Sequence, residues 1–301
     1  MVGGFFGTLI LSLLFTWLSQ RLASRLGLCD YPDDGHKQHG RVVALGGWTL
    51  ALATLPLFFL ARELWGLWIA GLIALTTGLL DDRFGLSPRQ KLLGQSLAAL
   101  VALLVAHWEI RSLNFLGLEI ALGWLSLPFT LFWIVGAINA LNLIDGLDGL
   151  AAGVALIICL ALAMATGPKN VELLWGFAGA LLGFWVFNFY PARVFLGDSG
   201  AHFLGYWLAI LSVGATQSSF TTPPERLPIV VAVLMLGLPI VDTAWAILRR
   251  LAAHQPVFQA DRGHLHHRLL ALGWGERKTV IVLYIITAIF CVMALVLLKI
   301  G

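Results

Sequence analysis

Apolar runs of about 17–25 residues follow one another from one end of this 301-residue chain to the other, and they limit the fold before any motif is considered. Ten such runs are expected as membrane spans, near 2–20, 43–61, 64–80, 91–107, 121–141, 149–166, 171–189, 200–217, 227–248 and 278–299. In lipid only helices or closed barrels satisfy their own backbone, and barrel strands would alternate apolar with polar residues. These runs do not alternate. The sequence therefore predicts an all-α, polytopic integral membrane protein, with 1–301 as a single transmembrane domain. Charged residues make up only 12% of it, against about 25% in soluble domains. The first run starts at Met1 with no basic segment before it and no small-residue cleavage site after it, so it reads as a retained helix and not a signal peptide.

With ten spans, the connections after the first, third, fifth, seventh and ninth share one face. Fourteen of the 19 Lys and Arg lie on that face, which the positive-inside rule assigns to the cytoplasm. All ten Asp lie on or beside the same face, as do seven of the 8 His, whereas five of the six Glu lie opposite. Acidic residues contribute little to insertion, so topology does not explain this split. Short carboxylates gathered on one face read as a site. The outer connections look bland, apart from an alternating stretch at 110–115 that reads as a small interfacial hairpin.

The densest polar stretch is Asn139-Ala140-Leu141-Asn142-Leu143-Ile144-Asp145-Gly146-Leu147-Asp148-Gly149, set between apolar runs. Residues three apart share a helical face, so Asn142, Asp145 and Asp148 can converge on one point. Gly146 and Gly149 either bring backbone close to that point or end the helix there. A plain turn using Asp and Gly for its local chemistry is the alternative. Carboxylates beside hydrocarbon are destabilising by several kcal/mol unless paired, hydrated or metal-bound, roughly the cost of any unpaired buried charge.

Four further clusters fall on the same face. Lys37 and His39 suit phosphate, and Gly46-Gly47 permits close helix packing at the start of the second span. Asp81 and Asp82, followed by Lys91 and Gln95, suit a divalent cation, with helix capping as the alternative for one Asp. Asp198 lies between glycines at the mouth of the eighth span, three residues after Phe195. Arg249 and Arg250 precede Asp261, Arg262, His264, His266, His267 and Arg268. Fixed cations among these histidines disfavour zinc and favour phosphate. Cys29, Cys159 and Cys291 have no metal-ligand spacing. Together the clusters describe a cytoplasmic site for a divalent metal and a polyanionic phosphate substrate. A cation or proton-coupled transporter is the rival from another class, but such sites sit near the bilayer midplane in broken, repeated helices. Here the carboxylates sit at span ends and no repeat is evident.

In this order the motifs resemble the polyprenyl-phosphate N-acetylhexosamine-1-phosphate transferases. These enzymes start common antigen, O-antigen and teichoic acid linkage units, and muramoyl-pentapeptide transferase is their relative. The likeness spans nearly the whole chain. It rests on Lys37–His39 with Gly46-Gly47, Asp81-Asp82, Asn142-x-x-Asp145-Gly-x-Asp148-Gly-Leu-Ala, Phe195-x-Gly-Asp198-Ser-Gly, Pro239-x-x-Asp242 and His264-Leu-His266-His267. It implies transfer of a sugar-1-phosphate from a UDP-sugar to undecaprenyl phosphate, releasing UMP, at the cytoplasmic face of a bacterial inner membrane.

The resemblance also implies roles. Asp198, with Asp81 and Asp82, would bind Mg²⁺, or equally Mn²⁺. Asp81, Asp82, Asp145, Asp148 and His264 would be catalytic, with Asp148 near the nucleoside. Lys37, Lys91, Asn142, Arg250, His266 and His267 would bind substrate, and Phe195 would stack on uracil. The last motif lacks the compact Pro-Leu-His-His-His run of the muramoyl-pentapeptide enzymes, which favours UDP-N-acetylglucosamine; FucNAc- and QuiNAc-type donors stay open. No nucleic-acid partner is expected, and a homodimer is compatible with the apolar surface.

Overall fold

A computed structural model describes residues 2–26, 29–30, 42–43, 46–60, 64–115, 118–166, 171–216, 227–256 and 263–300. Lys37 and His39 lie outside these residues. The chain is mostly helical. The helices are α1 (Val2–Leu26), α2 (Gly46–Leu60), α3 (Trp65–Phe84), α4 (Pro88–Ala106), α5 (Ser126–Ile144), α6 (Leu150–Ala165), α7 (Val171–Asn188) and α8 (Gly197–Ala215). They continue as α9 (Ile229–Met235), α10 (Gly237–Ala252), α11 (Leu265–Ala271) and α12 (Glu276–Ile300). Strands β1 (Cys29–Asp30) and β2 (Val42–Val43) pair antiparallel, as do β3 (Ser112–Phe115) and β4 (Leu118–Ala121). The second pair is the expected hairpin, with Ser112 opposite Ala121.

Each expected apolar run corresponds to helix. Among the described residues four helical segments are long and apolar enough to cross a membrane, at Gly3–Leu22, Pro88–Ala106, Gly123–Ile144 and Glu276–Lys299; α9 and α10 make a fifth if counted as one. The expected ninth span is not one straight helix, because α9 and α10 are bent by 78°. Pro239 lacks an N–H and its ring would collide with the carbonyl four residues earlier in a continuous helix. The chain therefore breaks at Leu236 and restarts with Pro239 in the first turn. Gly237 at the break admits Phe290 of α12, which a Cβ would meet at 2.7 Å.

At the centre stands α8, buried at every position from Ser199 to Ala215. A helix apolar on all sides needs neighbours all round, and α2, α3, α5 and α6 supply them. Small residues set the spacing: a Cβ at Gly205 would lie 2.6 Å from Ile138 Cα on α5. At the periphery, Thr8 and Ser12 of α1 donate to the Gly176 and Ala180 carbonyls of α7, both at 2.7 Å. Hydroxyls that reach a neighbouring helix between small residues are a usual means of association in lipid.

Candidate active site

The sequence motifs meet at one end of the helical assembly, where the C-termini of α3 and α5 face the N-termini of α4 and α8. Ser87 and Gln90 form a capping box with Pro88 behind it, starting α4 three residues after α3 stops. Gly85, at φ 63°, makes the left-handed turn this requires. Close approach is bought by glycines, as expected for Gly46-Gly47. Gly46 donates its N–H to the Phe195 carbonyl at 3.1 Å, a Cβ at Gly47 would lie 2.7 Å from Gly200 N, and one at Gly78 would collide with the Asp198 carbonyl.

The two adjacent carboxylates then do different things. Asp82 accepts the backbone N–H groups of Asp198 (2.8 Å) and Ser199 (3.0 Å), so it holds the N-terminus of α8. Asp81 is buried; it accepts the Leu86 N–H at 2.8 Å through one oxygen and pairs with Lys91 through the other. Lys91 also reaches Asp198 Oδ2 at 3.1 Å, and Asn142 Nδ2 donates to Asp198 Oδ1 at 2.9 Å. Lys91 thus bridges two carboxylates.

The helical face expected for Asn142, Asp145 and Asp148 extends only to Asn142, because α5 ends at Ile144. Asp145 leaves the helix at φ −78°, ψ 55°, and Gly149 at φ 77° starts α6. The turn brings the carboxylates together instead. Asp148 Oδ2 accepts the Ala192 N–H at 2.8 Å, tying this turn to the segment before α8. Among the described residues the Asp145 carboxylate takes no hydrogen bond or ion pair. Its side chain keeps one face accessible, yet protein surrounds the rest. Burial, then the negative charges of Asp198, Asp82 and Asp148, push its carboxyl up to about 8.

The histidines close the far side. His264 Nδ1 lies 2.8 Å from Asp242 Oδ2, and the Leu265 N–H reaches Asp242 Oδ1 at 2.7 Å. His266 is 1% exposed and its ring nitrogens have no hydrogen bond among the described residues. Its Nε2 fills the space a Cβ on Gly146 would need, which seats it against the Asp145 turn. Burial and the neighbouring His267 lower it to about 4, so it is a neutral imidazole near pH 7. His267 packs on it at 4.2 Å between ring centroids. Arg250 is buried on the α10 face that carries Asp242 and Ala246, and Arg249 donates to the Gly263 carbonyl at 2.9 Å. Phe195 is half-buried beside the start of α8.

A profile described as glycosyl transferase family 4 matches residues 64–216. A Bacillus subtilis protein named "Probable undecaprenyl-phosphate N-acetylglucosaminyl 1-phosphate transferase" is 35% identical, covering 99% of this chain and 85% of its own. The chain belongs to glycosyl transferase family 4. A decaprenyl-phosphate N-acetylglucosaminephosphotransferase of Mycobacterium tuberculosis is 34% identical over 88% of this chain and 74% of its own length. A phospho-N-acetylmuramoyl-pentapeptide-transferase of Listeria monocytogenes is 30% identical over 83% of this chain and 82% of its own.

Within this family member the donors suit a hard divalent cation, which the resemblance implies. Asp198, Asp81 and Asp145 offer oxygen only, and among the described residues Asp145 has no hydrogen-bonded or ion-paired partner. Among the described residues, however, no group of three His, Cys, Asp or Glu forms a ready metal cage. The physical reason is visible: Lys91 stands between Asp81 and Asp198, and Asp82 is engaged by two amides. A small divalent cation that keeps waters and binds substrate phosphates needs only one or two carboxylates, so the set still fits.

Sequence reasoning missed Tyr284. It lies inside the apolar run of α12, accepts the Trp185 Nε1–H at 2.8 Å and donates to the Gly149 carbonyl at 2.5 Å. Gly153 leaves the space for its ring, so the pair Gly149 and Gly153 was the one available signal.

Proposed function

We propose that this chain transfers N-acetylglucosamine-1-phosphate from UDP-N-acetylglucosamine to undecaprenyl phosphate, releasing UMP, as a first membrane step of cell-envelope polysaccharide synthesis. The observation that carries the reading is the 35% identity to the Bacillus subtilis transferase, which extends over 99% of this chain and so includes every motif of the site. The chain is a membrane enzyme acting on a polyprenyl phosphate. Its ten helical runs are read as ten spans of one domain, with the site at the cytoplasmic face of the inner membrane. The one-sided placement of Lys, Arg and Asp supports that orientation.

In the reaction an oxygen of the acceptor phosphate attacks the β-phosphorus of the donor, a new P–O–P bond forms, and the old bond to UMP breaks. The second pKa of a phosphate monoester is about 6, so the acceptor is already largely a dianion at neutral pH. A strong base is unnecessary, and Asp81 serves as a positioning or assisting base. Asp198 and Asp81, with Asp145 in the place first expected of Asp82 because two backbone amides engage Asp82, would hold Mg²⁺; when bound, the ion offsets charge on the donor diphosphate. Asp82 keeps the start of α8, and hence Asp198, in place. Lys91 supplies a compact cation beside the carboxylates, and Asn142 orients Asp198. His264, His266, His267, Arg250 and Lys37 meet phosphate oxygens, Phe195 stacks on the uracil and Asp148 fixes its neighbourhood. Positioning and electrostatics supply most of the rate in such transfers.

The test is UMP release by purified protein with undecaprenyl phosphate and Mg²⁺ over a panel of UDP-sugars. Release with UDP-N-acetylglucosamine that vanishes in EDTA and in Asp198→Asn is expected. Release only with UDP-FucNAc or UDP-QuiNAc would keep the chemistry and change the donor. No release with any donor from folded protein would overturn the reading in favour of transport. No ³²P should remain on the protein after turnover of β-labelled donor.

A further inference from the structure

One helical turn beneath the charged cluster lies a second polar layer that no part of the proposed reaction uses. Three helices supply both layers. On α4, Gln95 follows Lys91 by four residues; on α8, His202 follows Asp198 by four; on α5, which runs the opposite way, Asn139 precedes Asn142 by three. These spacings put each deeper residue on the same helical face as its partner above. The deeper three meet one another. Asn139 Nδ2 donates to Gln95 Oε1 at 2.7 Å, Gln95 Nε2 returns to Asn139 Oδ1 at 3.4 Å, and Gln95 Nε2 also reaches His202 Nε2 at 3.3 Å. Asn139 Nδ2 is further fixed by the Val135 carbonyl at 2.8 Å.

Gln95 and His202 are both 0% exposed. The amide pair sets Nε2 of Gln95 as the donor toward His202, which makes His202 Nε2 the acceptor and leaves the ring proton on Nδ1, an atom with no hydrogen bond among the described residues. Buried polar groups in the apolar body of a helical assembly are unfavourable unless satisfied, and Leu or Ala would pack the three helices without that penalty. The next α5 contact along α8 is packed in this apolar way, Gly205 against Ile138. Two other buried polar links of α8, Trp133 Nε1 to Ser212 Oγ at 3.0 Å and Tyr206 Oη to the Leu67 carbonyl at 2.8 Å, lie farther from the charged cluster and do not involve α4. The network has one geometric consequence that apolar packing lacks: it fixes the axial register of α4, α5 and α8. One turn higher, that register decides whether Lys91 and Asn142 reach Asp198.

We propose that Gln95 and His202 are positioning residues, which through Asn139 hold the three helices in the register that assembles Lys91, Asn142 and Asp198. The proposal rests on the transferase reading of the Asp198 site.

Four measurements test it in the full-length protein in detergent. Gln95→Leu removes both amide contacts at similar volume. It should lower kcat about tenfold or more, as loss of a supporting shell does. KM for UDP-N-acetylglucosamine should stay within about twofold and the unfolding temperature within about 4 °C, the shift expected for roughly 1 kcal/mol. His202→Gln, which keeps an acceptor, should recover more kcat than His202→Leu. In ¹⁵N-histidine spectra of the substrate-free protein, the His202 ring should carry its proton on Nδ1 and lose that single-tautomer signature in Gln95→Leu. Undiminished kcat in Gln95→Leu would overturn the proposal while leaving the transferase reading intact. So would a loss that only follows the folded fraction, with no difference between the two His202 variants, or an Nε2-protonated ring in the wild type. Wild-type protein that releases UMP from no donor sinks the parent reading, and this one with it.

Discussion

On α10, Asp242 is 6% exposed and both oxygens are engaged, one by His264 Nδ1 and one by the Leu265 N–H. In the turn after α5, Asp145 also lies close to a histidine, since His266 packs on the adjoining Gly146, but nothing described bonds to its carboxylate. Three other carboxylates raise its proton affinity further. A satisfied buried carboxylate works as a clasp, here between α10 and the start of α11. An unsatisfied one surrounded by like charge is stable only as an acid or with a cation. The contrast separates two uses of one side chain that sequence motifs treat alike: both Asp145 and Asp242 belong to the family-like pattern, yet Asp242 clasps two elements together and Asp145 leaves both its oxygens unbonded among the described residues.

The sharpest way to break this comparison is to neutralise each carboxylate in turn. Asp145→Asn should lower kcat about a thousandfold, the scale on which loss of one electrostatic group in an active site is felt. Its fold should not suffer. In EDTA the unfolding temperature should equal or exceed that of the wild type, by an amount that depends on pH. The wild-type group titrates near 8 when folded against 3.8 as the ordinary value, so the folded protein holds a proton the unfolded chain has released. The stability that this one group contributes to the wild type is therefore fully present below about pH 4 and is lost as pH rises toward 8, a decline Asn does not share. Equal pH dependence for wild type and variant would remove the distinction between the two carboxylates.

Asp242→Ala should do the reverse. It leaves a buried imidazole and a buried N–H without their acceptor, and we expect a loss of about 3 kcal/mol, within the usual range for breaking one side of a buried pair. Chemical denaturation followed by tryptophan fluorescence measures it. Activity per folded molecule should fall far less than in Asp145→Asn. A variant of unchanged stability would show that Asp242 is no clasp.

Gly146→Ala probes the border between the two regions. A methyl there collides with His266 Nε2, so the imidazole must leave the Asp145 turn. We expect a kcat loss of about tenfold, equivalent to roughly 1.4 kcal/mol of coupling. In a His266→Ala background the same methyl should cost little further. Additive effects would mean that His266 does not act through this contact.

How much of this was legible beforehand follows from where each contact comes from. The ten apolar runs were readable as helix because lipid leaves a backbone few choices, and the hairpin at 112–121 because its residues alternate. Pro239 carried the signal for the break at Leu236, but hydropathy averaged over the run hid it. The meeting of Asp81, Lys91, Asn142 and Asp198 was legible only as a shared face of the membrane. That Lys91 bridges two carboxylates depends on the three-residue turn from α3 to α4 and on glycines at 46, 47 and 78. The helical face drawn through Asp145 and Asp148 failed because α5 ends at Ile144, just before Gly146, and α6 starts only after Gly149, the turn that these glycines allowed as the alternative. Tyr284 was invisible, since its partner lies 135 residues earlier in the chain.

Tyr284 also gives the smallest and most discriminating prediction. Its hydroxyl accepts from Trp185 and donates to the Gly149 carbonyl, one residue past Asp148, so it steadies the turn without touching the carboxylates. Phe keeps the ring that fills the Gly153 notch and deletes only the hydroxyl. Two hydrogen bonds are lost, but Trp185 and Tyr284 are only half-buried, so water can reach the partners they leave. A stability loss of about 1 kcal/mol is then expected, the net value of a typical hydrogen bond. If the turn is held mainly by this contact, kcat falls about threefold with KM unchanged, because a looser turn samples the reactive arrangement less often. If Asp148 with Ala192 holds it alone, Tyr284→Phe loses stability and keeps kcat, and the clasp in this region is Asp148. Measuring both quantities on one variant therefore decides whether the Asp145 turn has a support of its own, as Asp242 provides for His264.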